Sequence, residues 1–484
     1  MLKLVLLSNA LLFLYYLTSN LIYLFLLITA IVKSTSHQQR LSSMHLENLH
    51  LSKFTPPVTV VAPAHNEGGN IVESVAGLLD LDYPMLEVII VNDGSSDNTL
   101  ERLTVAYDLR PVHLLYVPEI QTTRVRKLYR SVRDPRLVVV DKESAGTKAD
   151  AVNAGLNVAG SPYVCIVDAD SLLERDSLLR VMSGIFSDPE FSVAAGGIVR
   201  VLNGCSVSHG ALTHIRMPRN PIEAIQVVEY LRAFLIGREA WGHFNMLPII
   251  SGAFGVFRRD LVLRIGGYRA AAIGEDFDLI VRLHRFLRER RMDYHINFIP
   301  DPACWTEVPS DLKSLAGQRA RWQQGLLNTL WLNRDMLFRR RYGRIGMLIL
   351  PYMWFFELLA PVIELIGYAT IITAALLGIL SSTLFFEFLL FGYAFATMIS
   401  IGGVLLEEIT YRRYNDWRDV SRMVIYCFAE HFPYRQMNLY WRLKGLWRYW
   451  RGDTAWGELR RKDLSQPPDS SKSSTPETAQ AAAR

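Results

Sequence analysis

Asp168 and Asp170 stand two residues apart at the end of the apolar run 163–167. If the strand continues through them, its two-residue period turns both carboxylates to one side, about 6–7 Å apart along the chain. Such a pair suits a hard divalent cation, Mg²⁺ or Mn²⁺, whose remaining ligands are diphosphate oxygens and water. The same residues also fit a turn or cap leading into a helix over 171–180. Asp93, in Asn92-Asp93-Gly94-Ser95, ends another apolar run, 86–91. The turn 94–97 after it opens a helix whose N-terminal amides favour nucleotide oxygens, although a capped strand-to-helix turn has the same composition. Glu275-Asp276 follows Gly274 and opens the helical pattern Phe277, Ile280, Val281, His284. An acid there also simply complements a helix dipole. Gln318, Arg321 and Trp322 fall at i, i+3 and i+4 of a helix, so an amide, a guanidinium and an indole share one face. Arginine suits a diphosphate and tryptophan suits stacking on a sugar ring, while an amphipathic helix lying on a membrane reads alike.

These side chains need elements to position them. Runs 58–62, 86–91, 112–117, 137–140 and 163–167 read as buried strands, with helices over 70–79, 97–107 and 148–158 between them. Continuous apolar strands alternating with helices predict an α/β domain with a mostly parallel sheet. Ligands of such sheets bind at the carboxyl ends of the strands, where His65-Asn66-Glu67, Asp93, Asp168 and Asp170 fall. The dinucleotide fingerprint GxGxxG and the phosphate loop GxxxxGK[ST] are both missing from the 484 residues, so neither a dehydrogenase nor a P-loop NTPase is supported.

The chain is 50% hydrophobic and 20% charged, and its mean hydropathy is +0.14. That is too apolar for an ordinary soluble enzyme and too polar for a protein built wholly of spans. The formal net charge of +5 gathers beside apolar segments, which favours a membrane surface over nucleic acid. Cys165, Cys205, Cys304 and Cys427 are far apart and form no CxxC pair, so a reduced compartment is expected. Residues 4–32 are almost entirely apolar, and one long membrane helix is favoured. A hairpin at Thr18-Ser19-Asn20 would leave arms of about 14 residues, roughly 21 Å, against a hydrocarbon core of about 30 Å. Lys33, His37, Arg40 and Lys53 follow, placing the next domain in the cytoplasm by the positive-inside tendency.

The expected order is an N-terminal membrane helix (1–33), a linker (34–55), the cytosolic domain (56–310) and interfacial helices carrying the Gln318 pattern (311–344). A membrane region of about two spans (345–410), divided near Ser381-Ser382-Thr383, comes next. A basic aromatic interfacial segment (411–464) and a disordered tail (465–484) follow, with a further span over 420–441 as the alternative for part of the aromatic segment. Glu357, Glu364 and Glu387 interrupt the membrane region, and acids there usually face protein or a polar pathway.

Taken in order, Asn92-Asp93-Gly94-Ser95, Asp168-Ala169-Asp170, Glu275-Asp276 and Gln318-Arg319-Ala320-Arg321-Trp322 resemble the motifs of the processive family 2 glycosyltransferases. These are the membrane synthases of cellulose, hyaluronan, chitin and poly-N-acetylglucosamine. The resemblance covers about 56–330 by motif. It implies a GT-A domain, the nucleotide-diphospho-sugar transferase fold, flanked by N- and C-terminal transmembrane helices. It assigns Glu67 and Asp93 to the uridine moiety, Lys148 to the diphosphate beside Asp168 and Arg321, and Asp170 with Asp168 to the metal. It makes Asp276 the general base and puts Ser251, Gly252, Gln318 and Trp322 on the acceptor side. Without the resemblance, Lys148 would be read as a solvated surface charge and Trp305 as core packing. Two stretches depart from the pattern: the basic insert from Arg124 to Arg136, and 217–241, to which no role is assigned.

The resulting expectation is a metal-dependent inverting transferase at the inner (plasma) membrane, multi-pass, with its catalytic domain in the cytoplasm. It would extend a β-linked polysaccharide from a UDP-sugar and couple extension to export. Its partners would be the UDP-sugar, the growing glycan or glycolipid, membrane lipid and a small membrane accessory subunit, with no nucleic acid. The competitors are transfer of one sugar to a lipid acceptor, and a catalytically degenerate membrane scaffold. The scaffold predicts lost acidic ligands, whereas Asp93, Asp168, Asp170 and Asp276 are all present.

Overall fold

A computed structural model describes residues 2–43, 50, 52, 55–208 and 210–453. The β-rich runs form β1 (Val58–Ala64), β2 (Leu86–Asp93), β3 (Leu109–Val112), β4 (Val125–Ser131), β5 (Leu137–Lys142) and β6 (Tyr163–Val167). They continue with β7 (Leu172–Leu173), β8 (Ser192–Val201), β9 (Ser206–Ser208), β10 (Ala211–His214), β11 (Phe254–Arg258) and β12 (His295–Thr306). Ten of these make one sheet in the order β3-β4-β5-β2-β1-β6-β11-β8-β12-β7, and β9 pairs with β10 apart from it.

The centre of the sheet is the parallel block β5-β2-β1-β6, with Val58 opposite both Leu86 and Tyr163. Val58, Val60, Val61 and Ala62 are all fully buried, as a strand covered on both faces requires. The helix Lys148–Val158 lies on this block. A Cβ on Gly155 would come within 2.3 Å of a Val61 methyl, so only glycine lets the helix approach this closely. This fixes where Lys148, at the helix start, meets the strand ends.

The expected helices 70–79 and 97–107 begin one and two residues later, at Ile71 and Thr99, and 148–158 matches in full. The expected strand 112–117 does not form, because the β run ends at Val112 and 113–119 is irregular. Its apolar, β-prone residues mimic a strand, but Leu115 and Val117 are exposed. The basic insert supplies the missing neighbour: β4 runs antiparallel between β3 and β5, with Leu128 buried and Arg126 and Lys127 outward.

The N-terminal apolar segment is one helix, Leu2–Ser43, without a hairpin, and it runs past residue 33 into the expected linker. The Thr18 hydroxyl donates to the Leu14 carbonyl at 2.8 Å, which lets a polar residue sit in the helix without breaking it. Residues 44–49 of that linker and the expected tail 465–484 lie outside the described residues. Farther on, Ile345–Leu358 and Ala360–Leu376 meet at a 44° bend, and Ser382–Thr410 forms the next long helix. Pro361, just past the bend, has no N–H to continue the ladder. Among the described residues, Leu7–Ser34 and Phe385–Thr410 are each long and apolar enough to cross a membrane, and the bent pair adds a third candidate if it counts as one span.

Of the three acids there, Glu357 accepts from the Tyr352 and Tyr23 hydroxyls at 3.0 and 3.3 Å, and Glu364 accepts from Arg435 at 3.2 Å. Glu387 differs from the expectation: it is exposed on the outer face of its helix. The segment after Tyr411 forms Trp417–Ala429 and Arg435–Trp450, broken around Phe432 and Pro433. Met423, Cys427, Trp441 and Gly445 bury their faces against the body, so the pair is a packed layer. The four cysteines are free thiols.

Buried and half-buried ion pairs join these layers. Arg200 of β8 donates to Glu407 of the Ser382–Thr410 helix at 2.9 Å, with both side chains almost wholly buried. Arg232 reaches Glu430 at 2.6 Å.

Candidate active site

The carboxyl ends of β2, β1 and β6 lie side by side, as the parallel order dictates, and carry Asp93, Glu67 and Asp168. Asp93 is buried and held at both oxygens: Lys142 donates to Oδ1 at 2.7 Å and the Ser144 hydroxyl to Oδ2 at 3.1 Å. Lys142 has no exposed surface and also pairs with Asp150 at 2.6 Å. His65 contacts the Asp93 carbonyl through Nδ1 at 2.7 Å. Glu67 is buried, and its amide donates to the Thr99 hydroxyl at 3.0 Å.

The turn 94–97, which leads into the helix Thr99–Tyr107, has amides of its own engaged within the protein. Asn66 Oδ1 accepts from Ser96 N at 2.8 Å and Asp97 N at 3.4 Å, so those donors are already spent. The geometry inferred for Asp168 and Asp170 is corrected. β6 stops at Val167, and Ser171 N donates to the Asp168 carbonyl at 3.0 Å. The two carboxylates therefore project from a tight turn and not from a strand.

Lys148 is the centre of the site. Its Nζ binds Asp168 Oδ1 and also donates to the Gly252 carbonyl at 3.1 Å. Gly252 N in turn donates to Asp276 Oδ2 at 3.2 Å. Asp276 Oδ1 accepts from Phe277 N at 2.8 Å, within the first turn of the helix Glu275–Glu289 that carries it. A Cβ at Gly252 would lie 3.1 Å from Lys148 Nζ and 3.7 Å from Asp276 Oδ2, so both side chains close on this position. Burial alone would lower the Lys148 pKa, but Asp168, Glu275 and Asp276 outweigh it and raise it. Burial, aided by Asp168 and opposed by Lys148, pushes Asp170 up to about 7. Burial likewise pushes Glu275 up to about 7 against the pull of Lys148.

Gln318, Arg321 and Trp322 lie on one helix, Leu312–Leu332, as their spacing predicts. Burial lowers the Arg321 pKa while Glu275, Asp168 and Asp276 oppose it, which puts the guanidinium within reach of their charge. Gln318 Oε1 is buried without a hydrogen-bond partner among the described residues. Trp322 is 45% exposed, and the Arg319 guanidinium sits 4.4 Å over its ring. Ser251 lies in the loop just before Gly252. The helix is pressed onto the site by backbone contact: a Cβ on Gly325 would be 3.0 Å from Gly274 Cα, one residue before Glu275.

Sequence reasoning missed Lys142 and Arg238. Lys142 follows the apolar run 137–140 and Asp141, and the pairing of β5 with β2 is what brings it to Asp93. The 217–241 segment forms Pro221–Leu231, a π turn Arg232–Arg238 and Glu239–His243, and Arg238 lies close enough to Asp276 to feel its charge.

No three His, Cys, Asp or Glu side chains among the described residues cluster as a metal site. Asp170 and Asp168 nevertheless fit a hard cation. Asp168 raises the cost of ionising Asp170, and a cation completed by diphosphate oxygens and water needs no third protein acid.

Residues 56–325 match the model of the family described as glycosyltransferase like family 2, and the chain belongs to that family. It is a glycosyltransferase with a GT-A fold. Among curated proteins it is similar to the poly-beta-1,6-N-acetyl-D-glucosamine synthase of Staphylococcus epidermidis, at 27% identity over 280 residues, covering 57% of this chain and 56% of that protein. The synthase of the same name from Staphylococcus aureus (strain MSSA476) is 28% identical over 297 residues, covering 61% and 60%. The matches thus span little more than half the length of those relatives. Among solved structures, a mannosyltransferase from Pyrobaculum calidifontis, in complex with GDP-Man and Mn²⁺, superposes with a TM-score of 0.48 at 21% identity, covering 84% of this chain and 99% of that one.

Proposed function

We propose that this protein transfers sugar from a UDP-sugar to the end of a β-linked polysaccharide, with inversion at the anomeric carbon, at the cytoplasmic face of the plasma membrane. The observation that carries this reading is the unbroken set of contacts Asp168–Lys148–Gly252–Asp276. It ties the carboxylate turn of the donor side to the acceptor-side loop and to an acid at a helix start. Glu67 and Asp93 would hold the uridine, and Lys148 and Arg321 the diphosphate. Asp170 and Asp168 would hold Mg²⁺ or Mn²⁺, which when bound supplies charge compensation for the departing diphosphate.

Asp276 is oriented by the Gly252 amide and is the proposed general base for the acceptor hydroxyl. The removed proton goes to the carboxylate as the hydroxyl oxygen attacks, and the UDP oxygen leaves on the opposite face. Gln318 and Trp322 would seat the acceptor sugar, and the apolar helices would keep the growing chain at the membrane for export. The similarity to poly-beta-1,6-N-acetyl-D-glucosamine synthases supports polysaccharide extension over a single addition.

The test is turnover of a panel of radiolabelled UDP-sugars by the full chain in purified membranes. Long polymer supports the reading, a short lipid-linked product replaces it with single addition, and no transfer refutes it. EDTA should abolish turnover and Mg²⁺ or Mn²⁺ restore it. Asp276→Asn should lower transfer at least about 10²-fold while UDP still binds, because the proton acceptor is deleted at nearly constant volume. Near-normal turnover by folded Asp276→Asn would remove the base assignment.

A further inference from the structure

The helix Arg435–Trp450 has one face fixed against the rest of the protein, with Leu439, Trp441 and Gly445 buried. A Cβ on Gly445 would come within 2.5 Å of the Ala320 carbonyl oxygen, so the helix lies backbone to backbone on the helix that carries Gln318. Two arginines tie it to the foot of the apolar arm Ala360–Leu376. Arg435 pairs with Glu364, near the start of that arm, at 3.2 Å, and Arg442 donates to the Glu357 carbonyl just before the bend. These contacts decide which side of the helix faces outward, and they set it beside the base of a candidate membrane span.

The outward side carries Tyr440, Lys444, Trp447 and, at the C-cap, Arg451. Steps of four, three and four residues at about 100° each bring these positions into one stripe about 60° wide. All four are exposed, Tyr440 to 65% and Trp447 to 52%. Lys444 and Arg451 make no ion pair among the described residues, and the neighbouring Asp453 is already engaged by Arg448 at 2.9 Å. Arg451 lies instead 3.8 Å over the Trp447 ring.

Aromatic, cation, aromatic, cation is a sequence with one suitable surrounding. Tyrosine and tryptophan favour the level of lipid headgroups, where the ring leaves water and its polar edge stays wet. Long basic side chains reach from that level to charged oxygens, and cations with no carboxylate of their own gain most beside an anionic surface. Burial under another protein would strip both cations of water without supplying a counter-charge. A helix bound to the foot of an apolar arm already stands where the bilayer begins.

We infer that the stripe of Tyr440, Lys444, Trp447 and Arg451 binds the headgroups of anionic phospholipids, the two cations on phosphate oxygens and the two rings between the lipids. The inference requires the apolar helices to lie in a membrane and is independent of the donor and acceptor assignments above.

The experiment places the full chain in phosphatidylcholine nanodiscs holding a small fraction of a lipid with a photoreactive headgroup, either phosphatidylglycerol or phosphatidylcholine, and maps the crosslinked peptides. Peptides from 435–451 should take up the phosphatidylglycerol probe at least about fivefold more than the phosphatidylcholine probe, the preference that a single cation beside an anionic surface confers. The ratio should shrink as salt is raised. Lys444→Gln combined with Arg451→Gln should bring it below about twofold, and because both side chains are exposed the fold should hold. Equal labelling by the two probes in the wild type overturns the inference, and so does a ratio that survives the double substitution. Labelling by neither probe also overturns it, because another protein or a second copy then covers this face. A chain that does not enter bilayers removes the membrane reading and the inference with it, whatever sugar transfer it shows in solution.

Discussion

At the scale of single residues, the site is organised around two buried or half-buried lysines with different tasks. Lys148 links the Asp168 turn to the Gly252 loop, whereas Lys142 neutralises two buried carboxylates, 2.7 Å from Asp93 and 2.6 Å from Asp150. Removing Lys142 leaves two acids in a pocket that water hardly reaches. Lys142→Met is therefore expected to destabilise the fold by about 3–5 kcal/mol, the usual cost of breaking a buried pair on one side. Thermal unfolding in detergent measures it, and a midpoint within a degree of wild type would show that the acids do not depend on the lysine. The acids themselves were legible in the sequence because each closes an apolar strand or opens a helix. Lys142 was hidden because a lysine beside an apolar run looks like the solvated end of a strand. Only the pairing of β5 with β2 reveals that Lys142 faces Asp93.

At the scale of elements, strands and helices of the parallel block were readable from apolar runs, and three of five strands extend past their expected ends. Their ends were less legible because Pro63, Asn92, Asp93 and Lys142 are polar or β-poor residues kept in strands by pairing with a neighbouring strand. The run 112–117 failed for the converse reason: its pattern is strand-like but it has no neighbour. Close backbone contacts were invisible altogether. Gly445 meets the Ala320 carbonyl, and Gly325 meets Gly274, so the last helix, the Gln318 helix and the start of the Asp276 helix are stacked without side chains between them. Gly325→Ala must push the Asp276 helix start outward by some tenths of an ångström. Transfer is expected to fall at least about tenfold, in line with the sensitivity of catalysis to small misplacements, while UDP affinity stays near wild type. Unchanged transfer would uncouple the two helices.

The same Asp276 helix is anchored at its far end by His284. Its Nε2 donates to the Leu247 carbonyl at 2.9 Å, so Nδ1 accepts from the Tyr294 hydroxyl at 2.8 Å and the ring is neutral. Burial, more than the nearby Arg288, lowers its pKa from 6.5 to about 4. The unfolded chain takes up this proton below about pH 6.5 and the folded one only below about 4, so stability falls as pH drops through that window, by about 3 kcal/mol in total. His284→Gln should flatten this part of the stability profile. An identical slope in the variant would place the acid sensitivity elsewhere.

At the scale of the whole molecule, the catalytic domain and the apolar helices are not separable units. Arg232, Arg200 and Arg216 each reach from the catalytic part to residues beyond 400: Glu430, Glu407, and the pair Asp416 and Asp419. Residues 56–330 produced alone are expected to aggregate or to remain a molten species without a cooperative transition, because these cations lose their partners together. A cooperative unfolding transition from that fragment would show that the helices merely tether it.

The buried pair between Arg200 and Glu407 also sets an order of events in time. The two residues are 207 positions apart. At ribosomal rates of about 5–20 residues per second, Arg200 exists for roughly 10–40 seconds before its partner is made. During that interval β8 carries a core guanidinium with nothing to neutralise it, and the sheet cannot close over it. The fold around β8 therefore becomes complete only after the helix Ser382–Thr410 has been made, and a chain that stops short of it is left with an unpaired cation in its sheet.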